Sequence, residues 1–252
     1  MVKIDGIPMV VRSAMRAIQA TSVDRVVVAT DDARIVDVCS EYGLESVITS
    51  MDHPTGTDRV AEAAAELGVT DVVNVQGDEP LIIPDTIDAL VDGLIRDPSA
   101  EVANAACALG VDDEHSPNVV KVVVTQQNHL LYFSRHPIPF AWEDTTPRLR
   151  HLGLYAFRKD ALSRYTTRLP GPLEQAERIE MFRFLEYGDP VALIEVSENP
   201  PAIDVPEDLG RIEEYVAHHG GWAAFPVGSR AGLDGVHAVP PLCRKGSSNA
   251  DV

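Results

Sequence analysis

Val72-Val73-Asn74-Val75-Gln76-Gly77-Asp78-Glu79-Pro80 sets a short, largely apolar strand directly against a glycine and two carboxylates. A Val-rich run of this kind suits a strand buried on both faces of an α/β sheet. The carboxyl end of such a strand is where open α/β sheets bind ligands, so Asp78 stands where it can hold a metal ion.

Working outward, Val10, Val11, Met15 and Ile18 have the spacing of one apolar helix face, and Val26 to Thr30 reads as a second buried strand. Asp31 to Tyr42 predicts a helix ending at Gly43, Glu45 to Thr49 a strand, Thr57 to Leu67 a helix ending at Gly68, Asp71 to Val75 another strand, and Pro84 opens a helix through Ile95. Strands alternating with helices of this length imply right-handed crossovers and a doubly wound, mostly parallel α/β sheet covered on both faces. From Val102 the pattern changes. Val119 to Thr125 and Leu130 to Ser134 predict a hairpin across the polar turn Gln126 to His129, and His151 to Phe157 and Val191 to Val196 are further strands. Pro170 to Tyr187 reads as helical and Pro206 to His218 as a last amphipathic helix. Residues 1–218 are expected to form a single domain and residues 219–252, rich in Gly-Gly, Pro-Pro and Ser-Ser pairs, a disordered tail.

The chain has 252 residues, 45% of them apolar, enough for a sizeable core. It contains no run of about 18 apolar residues and no leader pattern, so a cytoplasmic location and no membrane partner are expected. Its net charge of -18 disfavours nucleic acid as a partner, because that binding needs Lys and Arg to neutralise phosphates. Cys39, Cys107 and Cys243 are scattered and lack metal-binding spacing. An acidic protein that handles phosphates must gather its few cations locally or recruit a metal.

Asp204, just ahead of Pro206 and the last helix, can complete a two-carboxylate magnesium site with Asp78. On spacing alone, capping of a turn and of a helix is the commoner role for such isolated acids. His53 to Arg59 packs Thr55, Gly56 and Thr57 at a helix entrance, suited to binding a base or phosphate through backbone N–H groups, and equally an ordinary cap. Arg135, with Arg148, Arg150 and His151, forms a group of cations that a carboxylate-bearing or phosphorylated substrate can use; pairing with the abundant acids is the competing reading. Glu177, Glu180 and Met181 share one face of a helix, with Ile179 and Phe182 on the other, so two carboxylates face a sugar or simply solvent.

Together the segments IDGIPMVVR (4–12), VVVATDD (26–32), HPTGTDRVAE (53–62), VVNVQGDEP (72–80), PNVVKVV (117–123), LYFSRHPIP (131–139), RHLGLYAFR (150–158), PLEQAERIE (172–180) and IDVPEDL (203–209) resemble, in content and order, the 3-deoxy-manno-octulosonate (KDO) cytidylyltransferases. The resemblance implies a nucleotide-diphospho-sugar transferase-like fold with a smaller β-rich elaboration for sugar binding and dimerisation. It implies Mg2+ on Asp78 and Asp204, an acidic sugar recognised by Arg135, His151, Tyr155, Glu177 and Glu180, and nucleotide or sugar contacts from Gln76, Thr55, Gly56, Thr57 and Arg59. The implied partners are CTP and an acidic sugar, in a homodimer. The implied reaction is attack of the sugar's anomeric hydroxyl on the α-phosphorus of CTP, with pyrophosphate leaving in line.

Two departures stand out. The family normally places a strand and an Ile-Pro-Ala-Arg…Arg-Leu-Pro-Gly-Lys loop before the point where Met1 aligns, and that loop binds CTP phosphates. A start placed at an internal methionine is the simplest expectation; the alternatives are genuine truncation and an inactive relative that binds nucleotide or dimerises. Met181 stands where the family has glutamine, which leaves a different sugar acid or a phosphonate open as acceptor.

Overall fold

The computed structural model describes residues 2–69, 71–140, 142–143, 147–197, 200–203 and 208–227. β1 (Lys3–Ile4) and β2 (Ile7–Pro8) form a small hairpin across Asp5-Gly6, both at positive φ as a two-residue hairpin turn requires. There follow α1 (Met9–Ala17), β3 (Val27–Thr30), α2 (Ala33–Glu41), β4 (Glu45–Ile48), α3 (Gly56–Leu67), β5 (Asp71–Val75), α4 (Pro84–Arg96) and β6 (Val102–Ala108). The second half supplies β7 (Lys121–Val124), β8 (Leu130–Ser134), β9 (Leu149–Arg158), α5 (Lys159–Thr167), α6 (Pro172–Glu177), α7 (Phe182–Glu186), β10 (Val191–Glu195) and α8 (Asp208–His218).

The fold is α/β with helices on both faces, and its strand pairs are mixed. β3 with β4, and β6 with β10, are parallel, as crossover helices demand. β9 instead runs antiparallel to β5, β6 and β7, because the chain reaches it through the β7–β8 hairpin rather than through a helix. β6 lies along one side of β9, and β5 and β7 share the other. Among the described residues β3 pairs only with β4 and β5 only with β9, so each keeps an open edge, although α3 packs on both.

Two apolar layers sandwich the sheet. Phe133, Phe157, Tyr165, Phe182 and Phe184 fill one face under α3, α5 and α7; Ile87, Leu90 and Leu94 of α4 cover Ala103, Ala105, Leu152 and Leu154 on the other. The expected helix from Pro170 to Tyr187 is two short helices. Arg178 takes a left-handed conformation (φ 55°) and ends α6, and the chain restarts at α7. Burial drives the break, because Ile179, Met181 and Phe182 all enter the core instead of sharing out between two helical faces. Residues 219–227, expected to belong to the tail, are placed against the body of the fold. Trp222–Ala224 form a 3-10 turn, Phe225 is buried against α8 residues, and the Arg12 guanidinium lies 4.2 Å over the Trp222 ring. Residues 228–252 lie outside the described residues.

Candidate active site

β9 provides the floor. His151, Gly153 and Tyr155 alternate onto one face of the strand, and the missing side chain at Gly153 leaves a hollow between the two rings. Gln76, just past the carboxyl end of β5, lies over that hollow: a Cβ on Gly153 would come 3.3 Å from Gln76 Cγ. In register across the sheet, Asn74 and Asn104 flank Tyr155 and extend the polar row.

The first turn of α3 forms one wall. Thr55 is extended and caps the helix, its hydroxyl oxygen accepting the Asp58 N–H at 3.2 Å and donating to the Asp58 carboxylate at 2.8 Å. Gly56 N–H donates to Glu180 Oε1 at 3.0 Å, and the Thr57 hydroxyl donates to the other oxygen of the same carboxylate. Burial of Glu180 raises its pKa despite these donors. Gln76 is adjacent, since a Cβ on Gly56 would lie 3.6 Å from Gln76 Oε1 and 3.7 Å from Glu180 Oε1. Thr57, Gln76 and Glu180 therefore form one cluster of hydrogen-bonding groups beside His151 and Tyr155.

His151 Nε2 and the Tyr155 hydroxyl are 2.9 Å apart, and the imidazole meets Phe133 edge-on. Burial, with the charge of Arg135, pulls the His151 pKa down to about 3, so the ring is neutral near pH 7. Arg135 itself joins the end of β8 to the end of α6. Its backbone N–H donates to Glu177 Oε2 at 3.1 Å, its Nε to the Glu177 carbonyl at 2.8 Å, and its Nη1 to the Pro117 carbonyl at 2.7 Å. Lys121, buried beneath, fixes the Arg135 carbonyl at 2.6 Å.

Arg59 takes a different place. Its guanidinium bonds Thr49 Oγ1 at 2.6 Å and Asp31 at 2.9 Å, tying α3 to the carboxyl ends of β3 and β4. The expected cation group divides: Arg150 points to the opposite face from His151, 3.8 Å from Asp113, and Arg148 pairs with Glu114. A cavity of about 680 Å³ lined by Arg150, Asp113 and Tyr215 lies on that opposite face and shares no residue with the polar row.

Asp78 is half-buried on the loop after β5. α1 holds this loop: Ser13 Oγ donates to the Gly77 carbonyl at 3.0 Å and Arg16 Nε to the Ile82 carbonyl at 3.1 Å. Ile203 N–H donates to the Asp78 carbonyl at 3.0 Å, which brings the segment ending at residue 203 to this loop. Asp204 lies outside the described residues. A carboxylate such as Asp78 is a hard donor, and Mg2+ typically takes one or two carboxylates with waters and substrate phosphates; the residue present fits that ion.

Met181 is fully buried in the core beside Phe182 and Phe184, so its thioether does not reach the surface of the polar cluster. Asn74, which donates weakly to Thr57 Oγ1 at 3.4 Å, is a site residue that the sequence reading passed over. Its signal was available, as a lone amide within an apolar strand.

The sequence matches the model of the family described as "Cytidylyltransferase" over residues 1–196. A 3-deoxy-manno-octulosonate cytidylyltransferase of Verminephrobacter eiseniae (strain EF01-2) is 43% identical over 234 residues, covering 84% of this chain and 86% of its own. One from Nitratidesulfovibrio vulgaris (strain DP4) is 43% identical over 224 residues, covering 86% of this chain and 88% of its own. Among solved structures, a CMP:2-keto-3-deoxy-manno-octonic acid synthetase complexed with CTP superposes with a TM-score of 0.82 at 35% identity, over 86% of this chain and 90% of that one. A 4-diphosphocytidyl-2C-methyl-D-erythritol synthase from Anaerococcus prevotii, 12% identical, shares the fold with a TM-score of 0.58. With the family model spanning residues 1–196 and relatives at 43% identity over most of its length, the chain belongs to the cytidylyltransferase family of nucleotidyltransferases.

Proposed function

We propose that the protein transfers CMP from CTP to the anomeric hydroxyl of KDO, with release of pyrophosphate and dependence on Mg2+. The observation that carries this reading is the Ile203–Asp78 hydrogen bond at the carboxyl end of β5, which supports a pairing of Asp78 with Asp204, the residue next to Ile203 in sequence. The names of the 43%-identical relatives, and the CTP in the related solved structure, support the choice of substrates.

In this reading Asp78 and Asp204 hold the metal, which when bound supplies positive charge to the triphosphate and the departing pyrophosphate. His151 stays neutral against the Tyr155 hydroxyl, so it meets the sugar as a hydrogen-bonding group rather than a cation. Glu180 receives sugar hydroxyls, with its own orientation fixed by Gly56 and Thr57. Gln76 spans the hollow over Gly153 between sugar and nucleotide. Arg135 contributes positive potential to the carboxylate end of the acid, while its bonds to Glu177 and Pro117 hold it in place.

The protein acts as a homodimer. Support comes from Phe140 and Trp142, adjacent rings that are 85% and 90% exposed on the segment between β8 and β9, since large exposed apolar groups mark association surfaces.

The direct test is pyrophosphate release on mixing the protein with CTP, Mg2+ and KDO, each then omitted in turn. Release should require all three and yield CMP-KDO in equal amount. Pyrophosphate formation that ignores KDO, or none with a folded protein, contradicts the assignment.

A further inference from the structure

The wall that holds Glu180 is itself braced from behind by a buried charged group outside the substrate-facing row. Arg183, on α7, is 2% exposed, and its Nε donates to Glu174 Oε2 at 2.8 Å. Its Nη1 reaches Asp58 Oδ1 at 3.4 Å and the Tyr165 carbonyl at 3.3 Å, and its guanidinium stacks 3.8 Å over the Tyr165 ring. The Tyr165 hydroxyl lies 3.0 Å from Thr55 Oγ1, and Thr55 and Asp58 together form the cap of α3.

A buried guanidinium with a planar donor fork fixes its partners in direction as well as distance. Here the partners converge on a single turn, and that turn presents Gly56 N–H and the Thr57 hydroxyl to Glu180. We propose that Arg183 and Tyr165 are positioning residues: through Asp58 and Thr55 they set the first turn of α3, and with it the orientation of Glu180 toward the acid substrate. This rests on the proposed function only for the identity of the substrate. The geometric part concerns the chain alone.

Tyr165→Phe is the informative variant, because it removes only the hydroxyl and leaves the Arg183–Glu174 pair in place. The expected result is a KM for KDO raised by about tenfold, the loss of one well-placed hydrogen bond, with the KM for CTP and the melting midpoint near their original values. Arg183→Lys should raise the same KM further and also lower the midpoint, as a point charge cannot reproduce the fork. Hydrogen exchange at the Gly56 and Thr57 amides gives a readout that needs no substrate. It should quicken by about tenfold in Tyr165→Phe, the same loss of one bond, while amides of β6 and β9 keep their rates. Unchanged Gly56 and Thr57 exchange overturns the proposal, and so does an equal rise in both KM values. A wild-type protein with no KDO-dependent turnover instead rejects the substrate assignment, and the exchange measurement still decides the positioning.

Discussion

Burial and the nearby Arg135 charge hold the His151 pKa down to about 3. In the unfolded chain the same imidazole titrates at about 6.5. The unfolded state thus binds a proton that the folded state refuses, so this residue's contribution to stability is complete above about pH 6.5 and is lost as pH falls toward 3. Urea midpoints taken between about pH 7.5 and about pH 4.5 should fall in the wild type and fall less in His151→Asn. Equal slopes would mean that the ring is solvated and titrates normally. Asp97, which hydrogen bonds from Ser99 and His129 hold down to about 2, starts to lose its own contribution as pH falls toward its unfolded value of about 4, and because both proteins carry it that loss cancels in the comparison. At this scale the sequence revealed what is local. The cap at Thr55 and the left-handed Gly68 follow from neighbours along the chain. Tyr165 and Arg183 did not show themselves, because their partners Thr55 and Asp58 are 110 and 125 residues away.

At the scale of elements, β5 and β8 begin and end where the sequence pattern puts them, as each is an apolar run bounded by polar residues or turn formers. The hairpin at Asp5-Gly6 went unread although its dipeptide is a strong turn signal, because each of its strands has only two residues. The break at Arg178 was hidden for another reason. Helical spacing in Pro170 to Tyr187 is real, but the core claims Ile179, Met181 and Phe182 together, which no single straight helix can satisfy. Packing between α4 and β10 is tight. A Cβ at Gly93 would sit 2.7 Å from Ile194 Cγ1, so Gly93→Ala should destabilise the protein by roughly 1–3 kcal/mol. Denaturant titration of Gly93→Ala with and without Ile194→Val checks this, as the second change should recover part of the loss; strictly additive effects would rule out the contact as the cause. The open edges of β3 and β5 carry a prediction of their own. Amides of the β3–β4 pair should exchange at lower opening free energy than those of β6, which is buried along six of its seven residues and paired on both sides. Uniform protection across both would contradict this pairing.

At the scale of the whole molecule, the α/β class was legible because alternating strands and helices leave few topologies. The antiparallel entry of β9 was not, since strand direction depends on how the chain returns and not on composition. The exposed rings of Phe140 and Trp142 predict that a Phe140→Asp, Trp142→Asp double variant shifts the protein to monomer in sedimentation; an unchanged sedimentation coefficient, or a wild type that is already monomeric, counts against the dimer. The proposed reaction depends on Asp78 and Asp204 holding the metal that serves the triphosphate. Pyrophosphate release from CTP and KDO, followed as Mg2+ is titrated, tests that most directly in the wild type against Asp78→Asn. The account predicts a fall in maximal rate of about 100-fold or more, with a weaker Mg2+ dependence, and an unchanged melting midpoint. A variant that turns over at the wild-type rate with the same Mg2+ requirement would contradict it.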